Sequence, residues 1–227
     1  MPSEYSSSRT NSLSVFDARA GERGASSTFL LGQVMFLVAV ALGFAAGGTY
    51  MGRELPFGTA EICEFGFLGM VLLQMFVSPL REGSVGMAWL FGLALLLGIG
   101  LGPVIAQYAT LDRTALYQAA GGTALTVGIM GSFGFATSRD LIKWMRPLMW
   151  ALIAVFGTSL ILILIGSGEH LILNLALYVI FSAYLAIYFQ IIRRGATERD
   201  VVWIATGVFI NIVNIFLTLL RIFGNGR

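Results

Sequence analysis

Apolar and polar positions along this chain fall into long blocks. Runs of predominantly apolar residues recur from residue 27 almost to the end, separated by short stretches that hold most of the charges. A helix of about 20 apolar residues, rising about 1.5 Å per residue, crosses a hydrocarbon core of about 30 Å. The pattern predicts seven such segments: Ser27 to Tyr50, Phe57 to Val77, Gly86 to Tyr108, Ala115 to Phe135, Pro147 to Ile165, His170 to Ile192 and Val201 to Phe223. Because the runs are continuously apolar rather than alternating, helices are expected, not the strands of a membrane β-barrel. The short turn Gly166 to Glu169 makes an antiparallel hairpin of segments five and six. The connections are too short to form domains. The expected organisation is a polar N-terminal tail over residues 1–28, one seven-helix transmembrane domain over 29–224 and a short C-terminal tail over 225–227.

The tail is Ser-rich, and its Arg9, Arg19 and Arg23 are balanced by Glu4, Asp17 and Glu22. Transit peptides are poor in acids and signal peptides open with a short basic region, so neither fits. A flexible cytosolic tail is expected instead. Composition strengthens the membrane reading: the 227 residues are 57% hydrophobic and 11% charged, against about 25% charged in soluble domains. A nucleic-acid binder, a secreted disulfide scaffold and an ordinary cytosolic enzyme are thereby excluded. Cys63 is the single cysteine, so a monomer forms no disulfide and offers no thiolate cluster to zinc or iron–sulfur.

Charge sets an orientation. With the N-terminus inside, the cytoplasmic regions hold Arg9, Arg19, Arg23, Arg81, Arg139, Lys143, Arg146, Arg193, Arg194 and Arg199, and the outer side only Arg53, Arg113, Arg221 and Arg227. By the positive-inside rule the N-terminus is cytoplasmic and the C-terminus outside. Glycines four apart, Gly43 with Gly47 and Gly98 with Gly102, and the cluster Gly121, Gly122, Gly128, Gly131 and Gly134, predict close helix approach within the monomer.

Much chemistry is missing. Lys143, the single lysine, lies in a loop, so no retinal-type Schiff base forms in a bundle core. His170 is the single histidine, which rules out bis-histidine haem ligation within one chain and gives no mid-membrane serine a base. At a helix start beside Glu169, it reads as an interfacial residue rather than a pH sensor. Asp17, Asp112, Asp140 and Asp200 lie in the tail or loops, so an intramembrane aspartyl protease is excluded. No HExxH, P-loop or Rossmann pattern occurs. The chain reads as a non-enzyme, with no metal or cofactor expected.

Two carboxylates lie within a segment, Glu61 and Glu64. Three apart, they share a helix face about 6–10 Å below the outer end. Such a pair is a candidate proton or cation site; the alternative is an interfacial pair that reaches water or meets Arg53. The other polar groups expected to be buried, and to hydrogen-bond between helices or line a polar path, are Gln74, Asn174, Gln190, Asn211 and Asn214, with Tyr178, Tyr184 and Tyr188.

Over about residues 29 to 224 the chain resembles the Bax inhibitor-1 family, in particular its bacterial YccA-like branch. The most specific stretches are GLGPVIAQY (Gly100 to Tyr108), GGTALTVGIMGSFGFATSRDL (Gly121 to Leu141) and NIVNIFLTLLRIFG (Asn211 to Gly224). The resemblance implies a seven-helix bundle whose last helix runs through the middle, with a cytosolic N-terminus, in the bacterial inner membrane. Channel-like members leak calcium and protons through a gate built on two acids, one late in segment six and one opening the pattern D-x-x-N in segment seven. Here that pattern reads Asn211-Ile-Val-Asn214, and the segment-six position falls in Ile187 to Phe189, with Tyr188 at its middle. No acid lies between Glu169 and Glu198, so a gate of the family's usual kind has nothing to titrate. The family's basic residues near the cytoplasmic end of segment two point to Arg81. The YccA branch also binds the membrane-anchored AAA protease FtsH with HflK and HflC, which implies a membrane-protein partner engaged through the polar tail. Two functions are therefore weighed: a regulator or accessory subunit of a membrane assembly, and a calcium or proton leak pathway relocated to Glu61 and Glu64.

Overall fold

A computed structural model describes residues 5–165 and 170–224, with backbone alone for 5–26 and for 160, 163 and 164. The Gly166 to Glu169 turn and the C-terminal residues 225–227 lie outside the described residues. Among those described there are seven α-helices and no strand: α1 (Tyr5–Gly52), α2 (Phe57–Phe76), α3 (Gly83–Leu111), α4 (Arg113–Ala136), α5 (Met145–Leu164), α6 (Leu171–Gly195) and α7 (Val201–Gly224). Six contain a stretch long and apolar enough to cross a membrane, the one in α1 being Ser27–Gly52. α5 holds a single charge, Arg146, in its 20 residues. With α1 taken from Ser27, every described helix end falls within three residues of its predicted segment end.

The ends lie where backbone chemistry requires them. Pro56 precedes α2, and the Asp112 carboxylate accepts from the Ala115 amide at 3.0 Å, capping α4. Gly195 ends α6 at φ +129°, a conformation that L side chains rarely adopt. Before α7, a short 3-10 turn Glu198–Asp200 is closed by a capping box in which Thr197 and Asp200 bond each other's backbone.

In lipid no hydrophobic force draws helices together, so backbone proximity and side-chain packing decide the arrangement. α1 and α3 meet in parallel along their glycines. A Cβ on Gly98 would strike the Ala45 carbonyl, one on Gly52 the Ile99 carbonyl, and one on Gly48 the Leu95 carbonyl. Gly43 and Gly47 have open space beside them instead, so the seam uses Gly48 and Gly52, one step round the helix from the predicted pair. In α4, Gly134 abuts the Ala186 carbonyl of α6 and Gly131 receives the Phe189 ring, whereas Gly121 and Gly128 face open space.

α7 packs on α1, α3, α4 and α6. It is the most buried span, with 67% of its window inside the protein against 11% for α2. No residue from 201 to 220 is exposed, and Ile204, Phe209 and Ile215 are wholly enclosed. α2 lies mainly against α3, and α5 mainly against α6. Exposed apolar side chains such as Phe76 and Ile172 suit a lipid-facing surface.

Candidate functional site

The end of the bundle that carries Arg81, Arg139, Arg193 and Arg194 is tied together by amide and guanidinium groups. The fully buried Gln190 of α6 accepts from the Leu141 amide at 2.8 Å and donates to the Arg139 carbonyl at 2.6 Å, so one side chain fixes the α4–α5 connection. Arg193 donates to the Thr137 carbonyl at 2.6 Å, and Arg194 pairs with Asp140 at 2.7 Å.

Beside this platform a cavity of about 520 Å³ opens between α2, α5, α6 and α7. Arg81, in the 3-10 turn Ser78–Arg81 after α2, lines it. The Arg81 Nε donates to the Gln74 carbonyl at 2.7 Å, one of the carbonyls that the end of α2 leaves open. The Gln74 side chain donates back to the Leu80 carbonyl at 3.0 Å and to the Thr206 hydroxyl at 3.5 Å, joining α2 to α7. The guanidinium is thus held at Nε, while its two terminal nitrogens have no acceptor among the described residues.

Tyr188 and Asn211 line the same cavity. The phenol end of Tyr188 abuts α7 at Gly207, where a Cβ would collide with it, and its ring meets Trp203 edge-on at 5.6 Å between centroids. Its hydroxyl has no hydrogen-bond partner among the described residues. Asn211 is buried and donates through Nδ2 to the Gly207 carbonyl at 2.7 Å, back along its own helix. Tyr184 donates to the Met145 carbonyl at 3.1 Å. Among the described residues no aspartate or glutamate lines the cavity.

Arg81, Tyr188 and Asn211 are therefore brought together from three separate parts of the chain. Within the window Ile187 to Phe189, Tyr188 alone reaches this cavity, Phe189 packing instead at Gly131. Asn214 does not line it; its Nδ2 donates to the Ile210 carbonyl at 2.8 Å. Both segment-seven amides thus bond within α7 rather than between helices, while Gln74, Tyr184 and the Tyr178–Thr126 hydroxyl pair at 2.8 Å bond from helix to helix and Gln190 bonds the α4–α5 connection. Trp203, Thr206 and Gly207 escaped the sequence reading. Stepping back from Asn211 by four residues, to Gly207 and then Trp203, traces the lining face and would have found them.

Glu61 and Glu64 lie near the opposite end of α2, and both are exposed. Glu64 lays its Cγ against the Gly100 backbone of α3. Arg53 is engaged elsewhere, pairing with Glu54 at 3.2 Å and stacking over Tyr50 at 4.2 Å. His170 is exposed at the start of α6, and its neighbour Glu169 lies outside the described residues. Among the described residues no three His, Cys, Asp or Glu side chains gather as a metal site would need.

Fold and site together define an all-helical, multi-pass membrane protein with a polar cleft at one end of its bundle. The sequence model of the family described as "Inhibitor of apoptosis-promoting Bax1" matches residues 27–227, and the chain belongs to this Bax inhibitor-1 family. It is similar to an uncharacterized protein of Pseudomonas aeruginosa, 26% identical over 195 residues that cover 83% of this chain and 85% of the relative. An uncharacterized membrane protein of Streptococcus pyogenes is 34% identical over 139 residues, 58% of this chain and 59% of its own length. One of Vibrio cholerae is 29% identical over 162 residues, covering 69% and 72%.

Proposed function

We propose that this chain is a non-enzymatic regulator or accessory subunit of a membrane-protein assembly in the bacterial inner membrane. An FtsH-type AAA protease complex with HflK and HflC is the partner we propose. In this reading the N-terminus is cytosolic, the C-terminus is outside and α7 is the axis of the bundle. The observation that carries it is the cavity of Arg81, Tyr188 and Asn211, which holds a fixed positive charge and no carboxylate. Where the family resemblance implies a pair of acids, a proton has nowhere to bind, and a divalent cation entering the cleft meets a guanidinium. The exposure of Glu61 and Glu64 argues in the same direction, since an ion path through the bundle needs its charges inside it.

The test is proton and calcium flux through purified protein in liposomes between about pH 6 and 8, with Glu61→Gln/Glu64→Gln in parallel. Both proteins are expected to match empty liposomes. Affinity purification from membranes should recover an AAA protease, and deletion of residues 1–26 should lose it. Flux that the double substitution abolishes would replace this reading with a leak pathway relocated to the two glutamates.

A further inference from the structure

The cavity at Arg81 has a chemical asymmetry that leakage or its absence does not explain. Its strongest unspent donors are the two terminal nitrogens of Arg81, joined by the Tyr188 hydroxyl and the second N–H of the Asn211 amide, whose first is spent on the Gly207 carbonyl; its acceptors are neutral amide and hydroxyl oxygens, those of Asn211 and Gln74 among them. Its remaining wall is apolar, formed by Val71 and Met75 of α2, Met149 and Leu152 of α5 and Phe181 of α6. Met75 and Met149 are also exposed on the lipid-facing surface, at 60% and 43%, so the mouth opens sideways between two helices whose main partners are α3 and α6. A volume of about 520 Å³ falls within the range of about 300–1,000 Å³ usual for small-molecule sites.

We propose that this cleft is a binding site for one anionic phospholipid. Its phosphate lies on the Arg81 guanidinium and an acyl chain runs out along Met75, Met149 and Leu152. Three features select this occupant. A planar guanidinium held at Nε presents its two remaining nitrogens as a fork suited to a phosphate. Arg81 follows the last turn of a membrane-spanning helix, at the depth of the headgroups, where basic pockets between helices take acidic lipids. The cavity offers no carboxylate to a choline or ethanolamine, which disfavours zwitterionic headgroups. A soluble anion would satisfy Arg81 and leave the methionine-lined channel unused.

Native mass spectrometry of the full chain in a non-ionic detergent, with dioleoyl phosphatidylglycerol or dioleoyl phosphatidylcholine added, tests this. One phosphatidylglycerol should be retained about tenfold more tightly than phosphatidylcholine. Arg81→Gln should lose that preference. Leu152→Trp, which fills the chain-binding wall and leaves Arg81 in place, should weaken retention by a similar factor. Arg199→Gln, an exposed arginine at the same end outside the cavity, should bind as the unaltered chain does. If Arg81→Gln does not fold, Leu152→Trp alone decides. Equal retention of the two lipids, undiminished retention in Leu152→Trp, or displacement of the lipid by millimolar inorganic phosphate would each overturn the proposal, the last in favour of a soluble anion.

Discussion

The two sides of the bundle solve helix packing in opposite ways. Along the α1–α3 seam, Gly48, Gly52, Gly98 and Gly102 remove every side chain between the two backbones, and main-chain atoms of one helix touch those of the other. Between α2 and α5, at the opposite end of the bundle, Met75, Met149, Leu152 and Arg81 line a space that is left open as a cleft. A contact between backbones has one distance at which it works, whereas a wall of methionines re-forms around whatever enters it. The difference separates a fixed half of the molecule from an adaptable one, and the polar residues that the sequence singled out at Arg81, Tyr188 and Asn211 lie in the adaptable half.

The largest effect should come from breaking the seam. Gly98→Val drives a side chain into the Ala45 carbonyl, which cannot rotate away, and should lower the unfolding temperature in detergent by about 10 °C. Gly43→Val, beside open space on the same helix, should shift it by about 1 °C. Next in size is Gln190→Leu. It leaves the Leu141 amide without its partner and the Arg139 carbonyl with only the 3.2 Å bond from Arg194, and should cost about 1–3 kcal/mol, read as a lower melting temperature and faster proteolysis of the α4–α5 connection. Gly207→Ala should be milder, about 1–2 kcal/mol, because the Tyr188 ring can swing into the cavity. Its signature is a change in Trp203 emission, since that indole meets the same ring edge-on. Asn211→Asp sharpens the comparison from the other side by giving the cavity an internal counter-ion for Arg81. Near neutral pH the variant should retain less phosphatidylglycerol than the unaltered chain, and acidification, by protonating the new carboxylate, should restore it. Retention that stays normal at every pH would separate Asn211 from Arg81. The smallest effect is expected for Arg194→Gln, which removes a partly exposed pair with Asp140 and should change stability by about 0.2–1 kcal/mol.

The helix ends were legible because each apolar run is bounded by charged or helix-breaking residues, as at Pro56 and Asp112, and lipid punishes a misplaced charge at either end. The faces were harder to read. Glycines recur on more than one face of α1, and spacing alone does not tell Gly43 and Gly47 from Gly48 and Gly52; only the position of α3 does. The same limit applied to Glu61 and Glu64, whose shared face followed from their spacing while the direction of that face depended on how little of α2 the bundle covers. The cavity was half legible. Arg81, Tyr188 and Asn211 were reached through the family resemblance, but Trp203, Thr206 and Gly207 carry no charge to draw attention in an apolar run. Their role appears when α7 is laid against α6.

The parallel pairing of α1 with α3 also has a consequence for biogenesis. A chain emerging from the ribosome can form the hairpin of α1 and α2 as soon as both are inserted, yet the glycine face of α1 waits for a helix that has not been made. Until α3 arrives, Gly48 and Gly52 face lipid. In the finished bundle α2 lies at the periphery, with only 11% of its membrane-crossing stretch buried. A nascent chain stalled before α3 would therefore present to the insertion machinery a glycine face that α3 covers in the finished protein.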